Sequence, residues 1–150
     1  MPHSVTGFIL NTDFVNQICS KQPFLKAISL EQGFSLFPLT HTILKNLDIT
    51  KPVDLIDSEI PNQLTDLLAA LSIECQLLCF ATEYFGGVGS QFAIVFENGK
   101  AVFGPAKSTI GSINEGLRLL GVKRKSDADE FDTIGLGQYR FTNDWLKQNK

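Results

Sequence analysis

Between Ile73 and Gly104 three apolar stretches are separated by two turn-forming sequences, Gly86-Gly87-Val88-Gly89 and Asn98-Gly99. Period-two alternation broken in this way predicts a three-stranded antiparallel meander. Asn98-Gly99 suits the two central positions of a type I′ turn, where both residues need positive φ. That turn sets Glu97 opposite Lys100, Val95 opposite Val102 and Ile94 opposite Phe103. Phe92, Ile94 and Phe96 then share one face with Ala101 and Phe103. With residues 86–89 as the other bend, Cys79 faces Phe96, Ala81 faces Ile94 and Glu83 faces Phe92. This register places the Glu83 carboxylate on an apolar face, unless a bulge turns it outward. From Leu78 to Phe80 both faces are apolar, as expected of a central strand covered on both sides.

Helical periodicity flanks the meander. Ile60, Leu64, Leu67, Leu68 and Leu71 form a stripe at helical spacing, with Pro61 suited to the first turn. After the meander, Ile113, Gly116, Leu117 and Leu120 make a second stripe. Ser112 and Glu115 have the spacing of a capping box, and Gly121 supplies a C-terminal stop. The N-terminal half reads as a strand over residues 5–10, then a helix with Phe14, Val15 and Ile18 inward and a cap among residues 11–13. Residues 24–39 read as a hairpin around Glu31-Gln32-Gly33, with Leu30 facing Phe34 and Ile28 facing Leu36. Pro38 marks an edge or the strand's end, and Thr40 is placed to cap a short helix. Phe131 with Ile134, and Trp145 with Leu146, pin single turns in the tail. The expected fold is α+β: an antiparallel sheet containing the C-terminal-half meander, with the two longer helices packed on it.

No repeat, low-complexity segment or long linker divides the 150 residues, so a single domain is expected. The formal charge of −3 argues against a dedicated nucleic-acid binder, which usually shows a basic face. Three cysteines without a CxxC spacing read as reduced thiols of a cytoplasmic protein. The N-terminus lacks the basic start of a signal peptide, and no apolar run reaches the ~18 residues of a membrane span.

The candidate chemistry is sparse. Gly86, Gly87 and Gly89 suggest a phosphate loop, but a dinucleotide fingerprint needs a following helix, and here a strand follows. A hairpin bend whose glycines supply positive φ is the better reading. Cys75 and Cys79 fall on one strand face without histidines at ligand spacing; His3 and His41 are remote in sequence, so no metal site is expected. No residue set points to a cofactor or to catalysis. Asp127, Asp129, Glu130 and Asp132 do not fit a calcium loop, whose sixth place needs Gly and whose twelfth needs Glu. They read as a solvated segment beside Lys123-Arg124-Lys125, or as a patch for a basic partner. Glu83, Tyr84 and Gln91 are the most site-like group. Tyr84 and Gln91 pair across the bend on one face and Glu83 lies on the other, either as a polar network closing the sheet or as a recognition surface.

Three segments, residues 83–91 (EYFGGVGSQ), 113–122 (INEGLRLLGV) and 129–132 (DEFD), resemble a family of small uncharacterised bacterial proteins. The resemblance covers about the C-terminal half and not residues 1–72. Small acidic proteins of this kind are loosely associated with toxin immunity. Two expectations follow. The first is a non-catalytic protein-binding module, in its sharpest form an immunity-type inhibitor of a cationic toxin. The second is a small-molecule-binding protein or enzyme with a pocket near Glu83, Tyr84 and Gln91.

Overall fold

The computed structural model describes residues 2–86 and 88–147. Six strands, β1 (Thr6–Asn11), β2 (Ile28–Ser29), β3 (Phe34–Pro38), β4 (Leu77–Phe85), β5 (Val88–Glu97) and β6 (Lys100–Ser108), form one antiparallel sheet in the order β2-β3-β1-β4-β5-β6. The helices are α1 (Val15–Lys21), α2 (His41–Lys45), α3 (Asn62–Leu71), α4 (Ser112–Leu120), α5 (Glu130–Thr133) and α6 (Thr142–Lys147). The class is α+β, and β4-β5-β6 are adjacent as a meander.

Side-chain alternation divides the core into two clusters, one on each sheet face. Phe8, Leu10, Leu77, Cys79, Phe92 and Ile94 meet the helices of the N-terminal half: Ile18 of α1, Ile43 and Leu44 of α2, and four leucines of α3. Ile9, Leu36, Leu78, Phe80, Ala93 and Val95 meet Ile113 and Leu117 of α4 and Trp145 of α6. The two longer helices therefore lie on opposite faces. Each fully buried leucine of α3 contributes about 1.5–3 kcal/mol. On the other face α4 approaches closely because Gly116 has no side chain: a Cβ there would lie 2.7 Å from Cδ1 of buried Leu78.

In the N-terminal half, Ile28 pairs with Leu36, the Leu30 amide donates to the Phe34 carbonyl at 2.8 Å, and Gly33 has φ of 80°. Asn11 caps the 3-10 turn that precedes α1, and the Thr40 hydroxyl accepts from the Ile43 amide at 3.2 Å. Asn98 and Gly99 both have positive φ, as a type I′ turn requires.

Four expectations are corrected. β4 begins at Leu77, and Ile73 to Gln76 belong to the turn leaving α3, with Ile73 exposed and Cys75 buried. The β4–β5 bend is tighter than residues 86–89. Phe85 already pairs with Val88, so Cys79 faces Ile94, Ala81 faces Phe92 and Glu83 faces Ser90. This two-residue slip keeps every side chain on its face but carries Glu83 past the end of the core, where it is exposed. β6 runs on to Ser108 through register shifts near Val95 that turn Phe103 into the cluster of Ala93 and Val95. Finally, Ser112 lies inside α4 behind an N-cap Gly111, so no capping box forms.

Candidate functional site

The site lies where β1 and the β4–β5 hairpin outrun the core on the α4 face. Residues before β1 continue its pairing: His3 and Tyr84 exchange backbone hydrogen bonds of 2.9 Å, and Thr82 donates to the Val5 carbonyl. Paired residues share a face, so cross-sheet rows stack there: Val5, Thr82, Gln91 and Ser108 in one, His3, Tyr84 and Gly89 in the next. The start of α4 and the Asp129–Phe131 segment close over these rows. The result is a cleft of 390 Å³ lined by His3, Thr82, Tyr84, Gln91, Asn114 and Asp129, with Phe131, Thr109, Ile110 and Ile113 completing its wall.

Each polar group on the wall is held by a second one. Gln91, 8% exposed, accepts from the Ile113 amide through Oε1 at 2.7 Å. Its carboxamide thus caps α4 from the sheet, in place of the expected Ser112. Its Nε2 donates to the Tyr84 hydroxyl at 2.9 Å, and that hydroxyl donates to the Thr109 carbonyl. Asn114 accepts from the Phe131 amide at 2.9 Å and donates to Asp129 Oδ2 at 3.1 Å. Asp129 Oδ1 accepts from the Asp132 amide at 2.9 Å as the cap of α5. His3 Nε2 lies 3.3 Å from the Leu136 carbonyl, which only accepts, so Nε2 carries the proton and Nδ1 accepts from Thr82 Oγ1 at 2.6 Å. Burial lowers the His3 pKa, which keeps the imidazole neutral, and both nitrogens are engaged. Near Asp129, partial burial and then the Asp129 carboxylate itself raise the Asp132 pKa.

The structure brings Tyr84 and Gln91 together on one face, but as diagonal neighbours and not as the expected cross-strand pair, since Tyr84 pairs with Gly89 and Gln91 with Thr82. It adds Asp129 from the acidic run. Glu83 points to the other face, where the Ser4 hydroxyl donates to it at 3.3 Å beside a recess shared with Asp54 and Asp57. Glu130 is not on a solvated acidic face: it is 3% exposed and pairs with Arg118 at 3.0 Å. Asp127 and Asp132 are exposed. Gly86 has φ of 63° in the bend. Gly89 stands in β5 for a different reason than the positive φ expected of it, since a Cβ there would lie 1.9 Å from the Glu83 carbonyl oxygen. Gly87 lies outside the described residues.

His3, Thr82, Asn114 and Phe131 were not legible as site residues. Asn114 carried one weak signal, a poor helix former in the first turn of a helix, where such residues bond locally. Cys75 and Cys79 are buried, and burial pushes their thiols up to about 11 and about 12. Among the described residues no His, Cys, Asp and Glu side chains group as metal ligands, and no helix is long and apolar enough to cross a membrane. Comparison with protein-family models, with curated proteins and with solved structures finds no match for this chain.

Proposed function

We propose that this protein binds a small molecule in the cleft between the β4–β5 hairpin and the start of α4. The observation that carries this reading is the convergence of Tyr84, Gln91, Asn114 and Asp129 on one cavity, each oriented by a second hydrogen bond. Groups held this way lose little freedom when a ligand arrives, and the volume lies within the ordinary range for small-molecule sites. The setting we read is the cytoplasm, which suits three cysteines without a disulfide.

The test is a thermal-shift screen against a metabolite panel. A ligand at about 100 times its Kd adds about 2.7 kcal/mol, or roughly 5–10 °C in a domain of this size. Asn114→Ala and Tyr84→Phe should abolish the shift while the free proteins still melt cooperatively. If no compound shifts the wild-type protein and a macromolecule co-purifies with it, the reading falls.

A macromolecular partner, with an immunity-type inhibitor of a basic toxin as its sharpest form, is the second reading. It is favoured by largely exposed Phe85 and Val88 at the hairpin tip. Replacing both by Ser should weaken macromolecular capture and leave a small-molecule shift unchanged.

A further inference from the structure

The charge lining the cleft has one sign. Asp129 is its carboxylate, and no Lys or Arg is among the described residues that line it. His3 adds no positive charge: burial works against its protonation and outweighs the Leu136 carbonyl that favours it, Arg140 adds a smaller effect, and Nδ1 accepts from Thr82. A helix start would ordinarily draw an anion, but here Gln91 Oε1 already occupies the Ile113 amide at 2.7 Å. The field of Asp129 is felt locally, since it helps to raise Asp132.

The unused hydrogen-bonding capacity points the same way. Each Asp129 oxygen accepts one protein donor, from Asn114 and from Asp132, and retains a lone pair. The Tyr84 hydroxyl spends its proton on the Thr109 carbonyl and therefore offers only acceptor capacity. The rings of Tyr84 and Phe131 give the wall aromatic surface suited to a cation.

Resting on the small-molecule reading, we infer that the ligand is a cationic amine with a compact apolar or aromatic body. Its ammonium group lies against Asp129 and the Tyr84 oxygen, and its body lies against Phe131 and Ile113. An ammonium–carboxylate contact in a partly enclosed site is a charge-assisted hydrogen bond, about twice as strong as a neutral one.

The experiment is amide chemical-shift titration with three matched sets of probes: phenethylamine and tryptamine, the neutral 2-phenylethanol, and the anionic 3-phenylpropionate. The amines should perturb the Tyr84, Gln91 and Asn114 amides and bind at least tenfold more tightly than the alcohol or the acid. Asp129→Asn should remove that preference, so that on this variant the amines bind no more tightly than the alcohol. Asn retains a capping oxygen, and Asp129→Ser is the second variant should Asn disturb α5. Amine binding that survives both substitutions at full strength overturns Asp129 as the counter-charge. An alcohol or acid that binds as tightly as the amines overturns the cationic class while leaving the cleft a small-molecule site. If no probe moves the cleft amides at millimolar concentration, the amine proposal fails. If the metabolite panel is silent as well, so does the reading beneath it.

Discussion

Arg118→Ala is expected to be among the most damaging surface-reachable substitutions in this protein. Arg118 Nη1 lies 3.0 Å from Glu130 Oε2, and the two side chains differ sharply in exposure, 53% against 3%. Removing the exposed partner strands a carboxylate that has little water around it. Breaking a buried pair from one side costs about 3–5 kcal/mol. Water can enter the space Arg118 vacates, so the lower end applies, about 3 kcal/mol. With a urea slope near 2 kcal/mol per M, the unfolding midpoint should fall by about 1.5 M. Buried Trp145 is the sole tryptophan, and its emission offers the readout beside far-UV circular dichroism. Glu130→Gln removes the charge along with the pair and should cost less, about 1–2 kcal/mol. Asp127→Asn, on an exposed side chain, should stay within about 0.5 kcal/mol. An Arg118→Ala protein within about 0.5 kcal/mol of wild type would show that Glu130 is solvated and that α5 does not dock on α4 as described.

Gly89→Ala should destabilise by about 1–3 kcal/mol, because its Cβ meets the Glu83 backbone and not a movable side chain; an unchanged melting temperature would refute the close approach. His3 has its folded pKa lowered below 6.5, so its contribution to stability is full above 6.5 and is lost as pH falls through the lowered value. His3→Gln should therefore flatten the loss of stability between pH 6.5 and more acid conditions in urea titrations, and an unaltered slope would count against a buried neutral imidazole. Cys79, fully buried with a thiol pushed up to about 12, should resist alkylation at neutral pH until the protein unfolds, and Cys19, partly exposed, should react first; rapid labelling of Cys79 in mass spectra would contradict the packing around β4.

What could be read from the chain was what is decided locally. Asn98-Gly99, Glu31-Gln32-Gly33, Thr40 and the leucine stripe of α3 each act within a few residues, and each stands where the pattern placed it. The bend at Gly86 was recognisable as a turn but not its length, because three glycines within four residues permit both a two-residue and a four-residue connection. The site was harder. Tyr84 and Gln91 neighbour one another through a hairpin, so their meeting followed from alternation. Asp129 and Asn114 reach the same cleft through tertiary docking of α4 and α5, and His3 through strand pairing with Tyr84. The cap of α4 depends on tertiary contacts as well: Ser112 has the spacing of a capping box, but the N-cap falls one residue earlier at Gly111, and Gln91, 22 positions before Ile113, takes the Ile113 amide.

The central place of β1 also sets an order of events during synthesis. β1 emerges first, yet one of its two neighbours is β4, and the bond from the Val5 amide to the Thr82 hydroxyl spans 77 positions. Until β4 has left the ribosome, the nascent sheet ends in an apolar strand, Phe8-Ile9-Leu10, with one backbone edge unpaired. Such an edge invites pairing with other chains, and closing so long a loop slows folding. Emergence of residue 85 from the ribosome is thus the step that covers the open edge of β1. A stalled chain that has emerged only as far as residue 72 should be recognised by chaperones, whereas one that has emerged past β5 should not.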